Sequence, residues 1–421
     1  MKPALLAVAL VISCGGAMKP SAPMERAVSG APPYGGGGEV AGEEPPAIAR
    51  SGVAAGEWDD NANYREFGKF LAGAQVGYHR LDIGDRQFLV VRDAAGKGVP
   101  ACTLEISDRQ GGRAALTTLG SGRALLFPHA EGLSGSEVHV TARCAGAVVD
   151  RDLTLVAGEG VHTIDLPSPR VLAGRPTVDV AVILDTTGSM AEEITAVKQT
   201  IQQVADGLGN LGADVRIELV EYRDVGDEFV TRVYPFTTDL AAFAGKVERI
   251  EADGGGDRPE HVDAGLATAV NALAWNPQAV ARVAFLIGDA PPHLDYAQDT
   301  SYAASARVAA RKGIQLFTVA ASGMDLLGQV VFRQIAQYTG ATNLFVLRGG
   351  AGPQSTGAGD PASSCGGTQT EYTSGNLDAL IIARIRGAVA AVDADPMRIA
   401  GLGQDENAKP CAERIASVIA R

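Results

Sequence analysis

Apolar residues recur along this chain with two periods, and the change between them divides it. Across residues 80–168 they alternate one by one, with turn signals at short intervals. Cys102, Leu104 and Ile106 share one face of a segment, and Val138, Val140 and Cys144 share one face of another. That rhythm predicts a small all-β domain. From about residue 177 the pattern is different. The run Val180, Ala181, Val182, Ile183, Leu184 reads as a strand buried on both faces. Ile194, Val197, Ile201, Val204 and Leu208 follow at steps of three and four, which predicts a helix. Strands are expected again at 215–220, at 229–236 (antiparallel, on the edge), and at 283–287, 314–320 and 344–347. Helical spacing lies at 262–273 and 301–311, and a last helix over 377–392 is carried by Leu380, Ile381, Ile385 and Val389. Strands alternating with helices of this length predict an α/β, doubly wound, mostly parallel sheet, preceded here by a small all-β sandwich.

Chemistry enters where the first of these strands stops. It ends in Asp185, Thr187 and Ser189, a carboxylate and two hydroxyls at the carboxyl edge of the sheet, where open α/β folds bind ligands. Asp-x-Thr-x-Ser alone is weak evidence, because a serine in this place also serves as a helix cap. Two downstream elements strengthen it. Gly254-Gly255-Gly256-Asp257-Arg258-Pro259-Glu260 is a turn-rich loop opening onto a helix, and the strand at 283–287 leads into Gly288-Asp289. Carboxylates gathered at neighbouring strand ends repel one another unless a cation or protons neutralise them. Oxygen ligands of this kind suit Mg²⁺.

Residues 177–347 resemble a von Willebrand factor type A domain, with Asp185, Thr187 and Ser189 matching its metal-ion-dependent adhesion site. The resemblance implies a divalent ion (Mg²⁺, with Mn²⁺ or Ca²⁺ as alternatives) held by Asp185, Thr187, Ser189, Asp257 and Asp289. Thr187 stands where many members carry Ser, and Asp257 where adhesion-type members carry Thr. Glu260 is the rival of Asp257 for the glycine-rich loop's ligand, and is equally suited to capping the next helix. Glu221-Tyr222-Arg223-Asp224, Pro235-Phe236-Thr237-Thr238-Asp239 and Gly288-Asp289-Ala290-Pro291-Pro292-His293 look like the subgroup found in hemicentins, α-kinase-linked proteins and many bacterial secreted proteins. Residues 88–100 and 120–127 resemble parts of a carboxypeptidase regulatory-like sandwich, a spacer or platform.

The chain begins with Met1-Lys2 and a short apolar stretch, then Val11-Ile12-Ser13-Cys14-Gly15. This has the form of a secretory signal. Cys14 at the small-residue junction resembles a lipobox, which implies acylation there, export, and anchoring to the cell envelope, with Gly15 favouring an outer membrane. Removing Cys14 leaves Cys102, Cys144, Cys365 and Cys411, an even set with no zinc-type spacing. Two inward-facing cysteines predict a Cys102–Cys144 bridge joining the layers of the β domain, with Cys365–Cys411 as the remaining pair; both need an oxidising compartment. The expected organisation is a signal peptide over 1–13, a Gly/Pro-rich flexible tether over 14–55, an aromatic and Asp/Asn-rich segment over 56–79, a β-sandwich over 80–170, the A-type domain over 177–392, and a tail over 393–421 with a short helix. The segment at 56–79, with Trp58, Tyr64, Phe67 and Phe70, reads as a clasp between the two domains or as a ligand-contact patch.

Composition narrows the function. The 421 residues allow two to three domains, and 46% hydrophobic content fills their cores. A formal charge of −13 without a basic run argues against a nucleic-acid partner. No HExxH, nucleophile elbow or P-loop occurs, so an enzyme such as a metal-dependent hydrolase is the least favoured reading. The favoured one is a membrane-anchored binding protein whose protein partner supplies an acidic side chain to the metal. The alternative is a structural component of an envelope assembly, with the ion as a stability cofactor.

Overall fold

The computed structural model describes residues 53–172, 174–346 and 373–402. Cys14, Cys365 and Cys411 lie outside the described residues, as do the positions of the expected signal segment, of the expected tether as far as residue 52, and of the helix expected at the end of the tail.

The described chain starts in a strand, β1 (Ala54–Trp58), and a helix, α1 (Tyr64–Gly73). Seven strands follow: β2 (Gln87–Arg92), β3 (Thr103–Asp108), β4 (Arg113–Thr117), β5 (Arg123–Leu126), β6 (Glu137–Cys144), β7 (Ala147–Thr154) and β8 (Gly160–Asp165). They form two sheets, ordered β5-β2-β8 and β4-β3-β6-β7. Alternation does what it predicts: Leu104, Ile106, Val138 and Val140 point into a core shared with Leu89, Val91, Leu126 and Ile164.

Cys102 and Cys144 are bonded, with Cα atoms 4.3 Å apart. The bridge does not join the layers, as the shared inward face implied. β3 and β6 are antiparallel neighbours in one sheet, with Thr103 opposite Arg143, so the two cysteines meet at the end of a single ladder.

The second part alternates strand and helix. β9 (Thr177–Asp185) leads through a 3-10 turn, Gly188–Glu192, into α2 (Ile194–Leu208). After these come β10 (Asp214–Tyr222), β11 (Thr231–Thr237), α3 (Leu240–Val247), α4 (Val262–Asn271), β12 (Ala281–Gly288), α5 (Tyr302–Lys312), β13 (Ile314–Ala320), α6 (Leu326–Tyr338), β14 (Asn343–Val346), β15 (Thr373–Asn376) and α7 (Leu377–Ala390). The sheet order is β11-β10-β9-β12-β13-β14-β1-β15. β10, β9, β12, β13 and β14 run parallel, and β11 is antiparallel at the edge. Period two sorts β9: Val180, Val182 and Leu184 pack with Val197, Ile201, Phe243 and Ile381, while Ala181 and Ile183 face Leu266, Ala306 and Val331. Both faces are thus covered by helices, as a parallel sheet requires.

Sheet membership extends beyond the expected limits. β1 pairs antiparallel with both β14 and β15, so the boundary expected at residue 55 falls inside a strand. Ala54-Ala55-Gly56 has no β-branched residue to announce it. Trp58, Phe67 and Phe70 are buried, and Arg333 of α6 makes a bidentate ion pair with Asp60 at 2.9 and 3.0 Å. The aromatic segment is therefore packed into the α/β core. It also touches the β domain's side of the molecule, where the Tyr64 hydroxyl donates to the Ile83 carbonyl and Arg86 donates to the Asn61 carbonyl. Elsewhere Thr117 donates to the Arg311 carbonyl at 2.6 Å, and the Phe127 ring stacks on Tyr338.

Candidate metal centre

The carboxyl ends of β9, β10 and β12 meet at one rim. Asp185, fully buried, is the last residue of β9 and lies opposite Tyr222 in the parallel register with β10. Its Oδ1 accepts from the Thr187 backbone N–H at 2.9 Å and the Thr187 hydroxyl at 2.7 Å, and its Oδ2 accepts from the Tyr222 hydroxyl at 3.3 Å. The Thr187 and Ser189 hydroxyls are 3.1 Å apart. Ser189 donates to Oδ1 of Asp289, just past β12, at 2.9 Å. Asp185, Thr187, Ser189 and Asp289 therefore form one continuous cluster. Ser189 does not cap the helix; its hydroxyl is spent within the cluster.

The glycine-rich loop closes over it, through Gly188 N–H to Gly254 O at 2.9 Å and Asp253 N–H to Thr186 O at 3.0 Å. From that loop it is Glu260 that turns inward: buried, facing Thr187, with Oε2 lacking a hydrogen-bond partner. The approach is close. A Cβ on Gly255, which has φ +69°, would lie 3.0 Å from Oε1 of Glu260 and 3.1 Å from Cβ of Thr187. On the other side, a Cβ on Gly288 would come within 2.5 Å of the Tyr222 hydroxyl oxygen. Asp257 is exposed, and its carboxylate groups with Asp224 and His293 instead. Of the five expected ligands the structure thus joins four, and Glu260 takes the place expected of Asp257.

Electrostatics agree with the geometry. Burial raises Asp185 to about 7, with the Asp289 charge adding to the effect and the Thr187 hydrogen bonds opposing it. Burial and then the Asp185 charge raise Glu260 to about 8, and burial also raises Asp289. Tyr222 is pushed well up by burial and the neighbouring carboxylates, so it stays a donor. Three crowded carboxylates, one of them with an unpartnered buried oxygen, and two hydroxyls make an all-oxygen donor set. Such a set fits a hard divalent cation. Ser189 and Gly188 are exposed, so the cluster opens to solvent on that side.

The family model for the von Willebrand factor A domain matches residues 179–345. Those residues form a von Willebrand factor A domain. A putative ariadne-like RING finger protein of Acanthamoeba polyphaga mimivirus is 30% identical over 118 residues, 28% of this chain and 11% of the relative. The α-protein kinase vwkA of Dictyostelium discoideum is 32% identical over 120 residues, 28% of this chain and 19% of the kinase. The matches thus span under a fifth of either relative. Among solved structures, the conserved hypothetical protein BatB from Bacteroides thetaiotaomicron aligns at 18% identity and a TM-score of 0.31, covering 41% of this chain and 89% of that one.

Spacing in the sequence leaves two contributors to the rim unassigned. Tyr222 has the parity of Val220, which points it at the helix face shared with Ile183, and its position opposite Asp185 follows only from strand order. Arg223 holds the first loop by donating from Nε to the Thr186 hydroxyl at 3.3 Å and from Nη2 to the Glu251 carbonyl at 2.8 Å.

Proposed function

We propose that this protein is a binding protein whose A domain grips a partner through a divalent ion held by Asp185, Thr187, Ser189 and Asp289, with Glu260 facing the ion from the glycine-rich loop. When bound, the ion supplies a Lewis-acidic coordination position that an acidic side chain of the partner fills. The chain's own residues do the rest. Asp185 is held rigid by three hydrogen bonds, Thr187 and Ser189 present their hydroxyls in a row, and Asp289 draws Ser189 toward β12. The observation that carries this reading is the convergence of those four side chains at one solvent-facing rim of a parallel sheet.

The partner is a protein, and a lipid at Cys14 would hold the molecule at the envelope, facing an extracytoplasmic space that also maintains the Cys102–Cys144 bond. Among the described residues no helix is long and apolar enough to cross a membrane.

Affinity capture from envelope extract tests the reading, in three parallel arms: wild type with Mg²⁺, wild type with EDTA, and Asp185→Ala with Mg²⁺. A protein retained in the first arm and lost in the other two supports it. Equal retention in all three defeats it.

A further inference from the structure

Beside the first cluster lies a second one of different chemistry. Carboxylate oxygens of Asp224 and Asp257 and a ring nitrogen of His293 all lie within 4.8 Å of one another. Asp224 follows β10 by two residues, Asp257 belongs to the glycine-rich loop, and His293 lies on the loop after β12. Two loops, the glycine-rich one and the one after β12, therefore feed both clusters. Where they meet, the His293 backbone N–H donates to the Glu260 carbonyl at 3.2 Å. The Glu260 side chain goes to the first group and the His293 ring to the second.

His293 is held as a metal ligand would be. Its side chain is only 5% exposed, Nδ1 lies 2.9 Å from Oδ1 of Asp295, and the ring stacks on Tyr296 with centroids 4.0 Å apart and planes within 7°. Donation from Nδ1–H to Asp295 fixes the tautomer that leaves the Nε2 lone pair free. That nitrogen is buried without a hydrogen-bond partner and lies 3.4 Å from Oδ2 of Asp224. The Tyr296 hydroxyl donates to the other oxygen of Asp224 at 3.3 Å, so Oδ2 is left for the shared space. Ligand atoms about 2.0 Å from a tetrahedral ion stand about 3.3 Å apart, close to the observed separation. A carboxylate behind the imidazole is the usual way in which a metal-bound histidine is oriented.

We propose that Asp224, Asp257 and His293 form a second metal site, one that takes a transition-series divalent ion such as Zn²⁺ in preference to Mg²⁺. The preference follows from the donors, since an imidazole nitrogen with two carboxylates suits the softer ions, whereas the first cluster is all oxygen. An ion there clips the glycine-rich loop and the loop after β12 to the end of β10. Asp257 is exposed, so the remaining coordination positions face solvent. The site stands on its own geometry and does not depend on what the first cluster binds.

Equilibrium dialysis of the full chain against Zn²⁺ in excess Mg²⁺, followed by metal analysis, tests the assignment. Wild type should retain one zinc per chain. His293→Gln and Asp257→Asn should each weaken zinc retention by at least about tenfold, while Asp185→Asn keeps the zinc. Asp257 is exposed, so its variant tests the site without disturbing the core. Co²⁺ substituted into wild type should give a d–d absorption that His293→Gln removes. The proposal is overturned by no bound zinc in wild type, by zinc retained in both His293→Gln and Asp257→Asn, or by zinc lost in Asp185→Asn.

Discussion

The Tyr222 hydroxyl donates to Oδ2 of Asp185 at 3.3 Å, between residues paired directly in the parallel register of β10 and β9. This contact sets the orientation of the carboxylate on which the first cluster is built. Its other oxygen is held by Thr187, so Asp185 has little rotational freedom left.

Tyr222→Phe keeps the ring and removes only the donor. Loss of a buried hydrogen bond of this type costs about 1 kcal/mol. Urea unfolding in Mg²⁺ should show that loss, along with a weaker Mg²⁺-induced stabilisation than wild type. An unchanged unfolding midpoint and an unchanged Mg²⁺ response would show that the phenol does not orient Asp185.

Protons and the ion compete for the same oxygens. With Asp185 raised to about 7 and Glu260 to about 8, both are largely protonated at pH 6 in the metal-free protein, Asp185 is largely ionised by pH 8 and Glu260 only about a unit higher. Apparent Mg²⁺ affinity should therefore fall as pH drops from 8.5 to 6, as measured by calorimetric titration at each pH. Stability of the chelated protein runs the other way. Both folded values lie above the ordinary carboxylate values of 3.8 and 4.5, so the protonated state stabilises the fold most below about pH 4. That contribution is lost as pH rises through 7 and 8. A pH-independent Mg²⁺ affinity would contradict the assignment of these carboxylates to the ion.

Arg333 ties the first strand and helix to the α/β core. Its guanidinium pairs with Asp60 and lies 4.0 Å from the Phe70 ring centroid and 4.8 Å from that of Trp58. Removing one member of a buried pair strands the other, at a cost of about 3–5 kcal/mol. Arg333→Ala should show that loss in denaturant unfolding, and Asp60→Ala combined with Arg333→Met should lose less. Equal losses in the two would place the effect in packing, not in the stranded charge.

The Cys102–Cys144 bond closes a loop spanning 42 positions at the end of the β3–β6 ladder. A loop of that length contributes about 4 kcal/mol through the unfolded chain. The double Cys102→Ser/Cys144→Ser variant should lower the thermal midpoint of the β domain, measured by calorimetry under non-reducing conditions. An unaltered midpoint would mean that the ladder holds without its staple.

Much of this architecture is legible in the pattern of the chain, and the exceptions have physical causes. β9 and β12 announce themselves because strands buried on both faces need continuous apolar residues, and β10 shows through Val215, Ile217, Leu219 and Val220. β1 does not, since Ala54, Ala55 and Gly56 gain their place from pairing with β14 and β15. α6 is hidden differently: it is buried from Gly328 to Tyr338, with Gln329, Arg333, Gln334 and Gln337 inside, so it shows no simple division into polar and apolar faces. At the rim, Asp185, Thr187, Ser189 and Asp289 could be read because they stand next to strand ends. Glu260 could not be separated from Asp257, because the left-handed Gly254 and Gly255 turn the loop and decide which carboxylate faces inward. His293 carries no spacing signal, since its partners Asp224 and Asp257 come from other loops.

On the reading proposed above, oxygens from β9, the glycine-rich loop and the end of β12 share one ion. The most direct test is an anomalous difference map from crystals of the protein grown with Mn²⁺. A peak is expected within bonding reach of Ser189 and Asp289 and adjoining Asp185 and Thr187. A map with no peak there, or with manganese only beside Asp224 and His293, contradicts it.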